Sequence, residues 1–105
     1  MHSLPCAPTD ADLGNAARAF AQVMGVPALR MDAVVPQGSV NWTFSATTSN
    51  SRFAVRMNRT RSALDAHAEY VKERWCIDAA RRAGIPTSSV HDVGRDDRHA
   101  WMIQE

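Results

Sequence analysis

The spacing of hydrophobic and polar positions changes several times along the chain, and each change predicts a new element. Apolar residues recur every three or four positions between Leu13 and Met24 and again between residues 62 and 83, which is typical of amphipathic helices. Elsewhere apolar and polar residues alternate, as they do in half-buried strands. The alternating segments are residues 29–35, 40–46, 52–58, 89–93 and 100–104.

Polar residues and glycines predict where the helices begin and end. Two pairs have the spacing of a capping box, Thr9 with Asp12 and Ser62 with Asp65. Gly25 and Gly84 stand where the two helices should end.

The predicted order is helix, three strands, helix and two strands. Short links between successive strands favour antiparallel pairing, and the long helix after the third strand must then cross one face of the sheet. We therefore predict an α+β fold with a five-stranded antiparallel sheet, one long helix between strands 3 and 4, and a preceding N-terminal helix. Residues 1–8 are predicted to form a mobile tail, and residues 9–105 a single folded lobe.

Composition narrows the classes of function. The chain has 105 residues, of which 45% are hydrophobic and 22% are charged, and its formal net charge is +1. One modest core is the most that such a chain can bury, and the near-neutral charge gives no electrostatic footprint for nucleic acid or membrane binding. Neither an export signal nor an apolar run of about 20 residues is present, so we expect a cytoplasmic protein.

The cysteines and histidines do not have the spacing of metal ligands. Cys6 and Cys76 are far apart, and none of the four histidines stands at ligand spacing from them. We therefore expect two free thiols and no metal site in this chain.

The third strand is predicted to carry chemistry on one of its faces. Phe53, Val55 and Met57 should point into the core, whereas Ala54 and Arg56 should point to the opposite face. A small residue beside a fixed positive charge suits a flat ligand whose anionic groups reach the arginine.

The long helix carries a charge where a core residue is expected. Glu73 is the one charged residue in the stripe formed by Ala66, Tyr70, Glu73, Ile77 and Ala80. A buried carboxylate is costly unless it is paired, so we predict an ion pair with Arg56. The alternative is a glutamate that reaches solvent from the edge of the stripe.

The same helix carries a second apolar stripe on its opposite side. This stripe predicts that the helix is wedged between two surfaces, or lies against one and leaves the other uncovered. Its members are Leu64, Ala68, Val71, Trp75 and Ala79.

Taken together, these features resemble the amino-terminal lobe of protein-kinase-like folds and, more closely, that of the aminoglycoside phosphotransferase family, which includes choline-kinase-like enzymes. The resemblance rests on four pieces in order: Gly38-Ser39-Val40-Asn41-Trp42-Thr43-Phe44, Ala54-Val55-Arg56, Glu73 eleven residues before Gly84-Ile85-Pro86, and Trp101-Met102-Ile103-Gln104-Glu105. It covers residues 10–105.

The resemblance implies an ATP site. The turn that contains Gly38, Ser39 and Asn41 would cover the phosphates, Arg56 would contact the α- and β-phosphates while held by Glu73, Ala54 would lie against adenine, and the backbone of Glu105 would begin the adenine-binding hinge. The residues themselves leave plainer alternatives open. In these alternatives, Gly38 would only serve a tight turn, Asn41 would only lie on the solvent face of a strand, and Glu105 would only end an amphipathic strand. Arg59 and Arg61 are further candidates for a phosphate contact, but we expect them to lie in a solvated loop.

Two departures and one missing part limit the resemblance. The hairpin has one glycine where protein kinases have three, and Arg56 replaces the usual lysine. The catalytic Asp and the Mg²⁺ ligands of this family belong to a second lobe, so we assign no catalytic residue and expect a lobe truncated at the hinge. The implied function is the ATP-binding lobe of an Mg²⁺-dependent phosphotransferase acting on a small hydroxyl-bearing substrate. The alternative is a non-catalytic module that binds a nucleotide or a partner, and we also expect the chain to self-associate through an exposed apolar patch.

Overall fold

The computed structural model describes residues 7–34 and 40–105 and confirms the α+β prediction. It contains two helices and five strands within those ranges. The elements are α1 (Asp10–Met24), β1 (Arg30–Ala33), β2 (Asn41–Thr47), β3 (Arg52–Asn58), α2 (Ala63–Arg82), β4 (Val90–Arg95) and β5 (Ala100–Gln104). Of the predicted features, the start of the tail with Cys6 and the turn with Gly38 and Ser39 lie outside the described residues.

The five strands form one antiparallel sheet in the order β1-β2-β3-β5-β4. Helix α1 packs on one face of the sheet and α2 on the other, so the sheet is the middle of three layers. The alternation predicted for β3 is confirmed, because Phe53, Val55 and Met57 are buried on the α1 side. Ala54 is exposed and Arg56 half-buried on the opposite face. The candidate site therefore lies on the α2 side.

The helix ends agree with the capping signals. Thr9 and Asp12 form a reciprocal capping box at the start of α1, and Gly25 ends the helix in the left-handed region with a φ of 77°. At the start of α2, the Ser62 hydroxyl accepts the Asp65 N–H at 3.1 Å. These local bonds fix where each helix meets the sheet.

The predicted bounds of β4 were wrong by two residues at the carboxyl end. Gly94 belongs to the strand and lies opposite Trp101 of β5, and a Cβ atom built on Gly94 would lie 2.8 Å from the indole ring. Gly94 therefore allows close packing between β4 and the Trp101 ring, and it is not part of the turn that follows. The turn itself begins at Asp96, whose carboxylate accepts the N–H groups of His99 at 2.7 Å and Arg98 at 2.8 Å.

Helix α2 lies against the sheet with one of its two apolar stripes and leaves the other open. Ala66 and Tyr70 are fully buried among Val90, Ala100 and Met102. The opposite stripe is exposed, with Trp75 showing 68% of its surface and Leu64 62%. No helix in the described part of the chain is long and apolar enough to cross a membrane.

Candidate functional site

The predicted ion pair between β3 and α2 is present. A guanidinium nitrogen of Arg56, Nη2, donates to Oε2 of Glu73, and the same nitrogen lies 3.7 Å from Sδ of Met102. The two charged side chains retain 25% and 35% of their exposure, so the pair is at the edge of the core and open to a ligand. Its position follows from the two periodicities, since period two turns Arg56 toward α2 and the helical repeat turns Glu73 toward the sheet.

A second group of polar side chains adjoins this pair. Asn41, the first residue of β2, accepts two hydrogen bonds at Oδ1: one from the Tyr70 hydroxyl at 2.6 Å and one from Nη2 of Arg61 at 2.8 Å. Arg61 also forms an ion pair with Glu69 of α2. These bonds connect the start of β2, the β3–α2 connection and α2.

Tyr70 lies close to both arginines. Its ring centroid lies 5.6 Å from Cζ of Arg56 and 5.8 Å from Cζ of Arg61, within range of cation–π attraction. Burial raises the pKa of Tyr70 to about 12, against the opposing influence of the two arginines. The phenol therefore stays protonated at neutral pH and acts as a hydrogen-bond donor to Asn41.

Arg61 lies in the β3–α2 connection, but the prediction that its side chain is solvated is wrong. Its side chain is only 18% exposed and is bonded to β2 and α2. The connection 59–62 has no repeat from which a direction can be read. The available signals were that Arg61 immediately precedes the Ser62 cap and that Glu69 follows two turns into the helix. Tyr70, by contrast, belongs to the predicted inward stripe of the helix, but its position in that stripe does not indicate a role in the site.

Ala54 and Glu105 line a common recess of about 420 Å³ on the sheet, together with Val34 and Ser45. This volume falls within the range of small-molecule sites. The backbone N–H of Glu105 already donates to the Ser89 carbonyl at 3.3 Å. The carbonyl of Glu105 is therefore the backbone group of this residue that can accept a hydrogen bond from an adenine amino group.

A second recess of about 620 Å³ follows α2 past Glu69, Glu73 and Ile77. The two carboxylates that line it are both engaged by arginines. Within residues 7–34 and 40–105, no three His, Cys, Asp or Glu side chains are grouped so that they could hold a metal ion. Cys76 is an exposed free thiol on the same helix.

The structure thus places four of the seven predicted nucleotide-site residues on the α2 side of the sheet: Asn41, Ala54, Arg56 and Glu73. A fifth, Glu105, follows the end of β5 and lines the recess beside Ala54. The other two, Gly38 and Ser39, lie outside the described residues. The arrangement offers an open surface at Ala54, and the guanidinium groups of Arg56 and Arg61 lie further along the same side of the sheet. This suits a flat ring linked to an anionic group.

Comparison with models of known protein families, with curated proteins and with solved structures finds no match to this chain.

Proposed function

We propose that this chain is the ATP-binding lobe of a cytoplasmic small-molecule phosphotransferase similar to the aminoglycoside phosphotransferase family. The observation that carries the proposal is the Arg56–Glu73 ion pair. Kinase-like lobes use a strand-3 cation that is held by a glutamate of the following helix to contact the ATP phosphates. The chain has the same pairing between the same two elements.

The spacing of the candidate groups supports a nucleotide. Ala54 and Arg56 lie on one face of β3, two residues and hence about 7 Å apart along the strand. An adenine ring over Ala54 would therefore have its phosphates close to Arg56. Glu105 lines the same recess as Ala54, and in the proposal its carbonyl would accept from the adenine amino group.

Phosphoryl transfer itself needs groups that are not assigned to the described residues. The reaction would also use a magnesium ion, which would offset the negative charge of the phosphates. Glu69 and Glu73 are paired with arginines, so we assign neither of them to the metal. In the proposal, magnesium arrives with ATP, and the catalytic Asp and the metal ligands come from a second lobe. The residues described here bind and orient the nucleotide.

The test is calorimetric titration of the chain with ATP and with adenosine. We expect Arg56→Gln to weaken ATP binding by at least about tenfold, because it removes a charge-assisted hydrogen bond that contributes about 1.5–3 kcal/mol. Glu73→Gln should weaken ATP binding as well, because it releases Arg56 from the position in which it meets the phosphates. Adenosine, which has no phosphate, should bind the variants and the parent equally. ATP affinity that is unchanged in both variants contradicts the proposal.

A double variant separates binding from stability. Each single change leaves one charge of a half-buried pair without its partner, and the double change Arg56→Gln/Glu73→Gln removes both charges together. We expect the double variant to regain folding stability relative to the single variants while ATP binding stays weak. Recovery of ATP affinity together with stability would identify the pair as purely structural.

A second candidate function is a non-catalytic partner-binding module. The exposed stripe of α2, which includes Leu64, Val71 and Trp75, favours it, since apolar side chains at helical spacing form a surface that a partner can cover. The titrations discriminate the two, because a module of this kind has no reason to prefer ATP over adenosine.

A further inference from the structure

We propose that Arg61 is a second phosphate-binding residue, which acts beside Arg56 and makes the site selective for nucleotides with a di- or triphosphate chain. This inference rests on the proposed function and adds a residue to the same site. The two arginines come from different elements, β3 and the β3–α2 connection, and their Cζ atoms lie 5.6 and 5.8 Å from the centroid of the same tyrosine ring, that of Tyr70.

The side chain of Arg61 is held in place instead of being free in solvent. Its two terminal nitrogens are engaged, Nη1 by Glu69 and Nη2 by Asn41, and 82% of the side-chain surface is covered. A guanidinium fixed in this way loses little conformational entropy when it binds a ligand. This preorganisation is what a phosphate site requires.

One nitrogen of this guanidinium has no hydrogen-bond partner. Within the described part of the chain, Nε of Arg61 is the single buried side-chain nitrogen or oxygen without a hydrogen-bond partner. A buried donor without an acceptor is unfavourable, because it has lost its hydrogen bonds to water. Because Nε and a neighbouring Nη form the edge that grips phosphate with two parallel bonds, a phosphate oxygen is a fitting acceptor.

The number of available N–H donors favours a chain of phosphates over a single one. Glu69 and Glu73 lie one helical turn apart on α2, and each holds one arginine. Each guanidinium has five N–H donors, of which its carboxylate takes only part, so each arginine can serve a separate phosphate. A nucleoside monophosphate offers a group to one arginine, whereas ADP and ATP offer groups to both.

Arg59 provides a matched control. It lies two residues earlier, and its guanidinium stacks 4.3 Å over the ring of Trp42, which belongs to the core on the α1 side of the sheet. Arg59→Gln therefore changes the net charge as Arg61→Gln does, but on the other side of the molecule. Arg61→Lys keeps the charge and loses the planar fork.

The experiment titrates the parent chain and these three variants with ATP, ADP, AMP and adenosine. We expect Arg61→Gln to weaken ATP and ADP binding by about tenfold or more, Arg61→Lys to weaken it less, and Arg59→Gln to leave it unchanged. AMP should lose less than ADP, and adenosine should lose nothing.

The outcomes separate this inference from the proposed function. If ATP binding depends on Arg56 while Arg61→Gln behaves like Arg59→Gln, the inference fails and the proposed function stands. If Arg61→Gln weakens adenosine and ATP by the same factor, Arg61 supports the fold only, and the inference again fails. If the parent chain does not prefer ATP over adenosine, the proposed function fails as well.

Discussion

Ionisation of Tyr70 offers a direct test of how the site is built. It is the single tyrosine of the chain, so the ultraviolet absorbance of tyrosinate reports this residue alone. Burial raises the pKa of Tyr70 to about 12, whereas a tyrosine in an unfolded chain titrates at about 10. We therefore expect about a tenth of Tyr70 to be ionised at pH 11 in the folded protein and about nine tenths in denaturant.

The same shift predicts how stability depends on pH. Since the folded-state pKa is raised, the contribution of Tyr70 is fully present below about pH 10 and is lost as the pH rises toward 12, by about 1.4 kcal/mol per pH unit. Tyr70→Phe removes this dependence. It also removes the hydrogen bond to Asn41, which costs about 1 kcal/mol at pH 7 because Asn41 keeps its bond from Arg61.

Chemical unfolding of both proteins across the pH range measures the difference. The parent should be more stable by about 1 kcal/mol at pH 7, and the order should reverse between about pH 10 and 11. A folded protein in which Tyr70 titrates at or below pH 10, or a difference that does not change with pH, would show that the ring is not enclosed between α2 and the sheet.

Two further predictions concern packing and association. Gly94→Ala should reduce the free energy of unfolding by about 1–3 kcal/mol, because its Cβ would lie 2.8 Å from the Trp101 ring. Thermal melts test this, and Trp101→Phe in the same chain should recover part of the loss. An unchanged melting temperature of Gly94→Ala refutes the close contact. The chain should self-associate through the exposed stripe of α2, so that sedimentation depends on concentration and Val71→Asp with Trp75→Asp abolishes the dependence; a parent protein that stays monomeric at every concentration contradicts it.

The sequence could predict the Arg56–Glu73 pair because each half depends on a short local repeat. Period two alone puts Arg56 opposite the core residues of β3, and the helical repeat alone puts Glu73 on the buried side of α2. The sheet and the intervening helix then leave little choice about where the two side chains meet. The helix caps were predictable for the same reason, since their bonds span three residues.

Features that depend on contacts distant in sequence could not be read in this way. Arg61 takes its direction from Asn41, 20 residues earlier, and from Glu69, and no repeat in the connection 59–62 encodes either contact. Likewise, glycine is common in turns, and only the position of Gly94 opposite Trp101 explains why it lies in the strand. Tertiary packing decided both positions.

In the proposed function, one face of the sheet, from Ala54 to the Arg56–Glu73 pair, binds a nucleotide. The most direct measurement is a backbone amide NMR titration of the chain with ATP. We predict saturable shifts at Ala54, Arg56, Glu73 and Glu105, with the remote turn at residues 96–99 unchanged. Saturable binding whose shifts are confined to the exposed stripe of α2 or to that turn, or no saturable shift at all, would contradict the account.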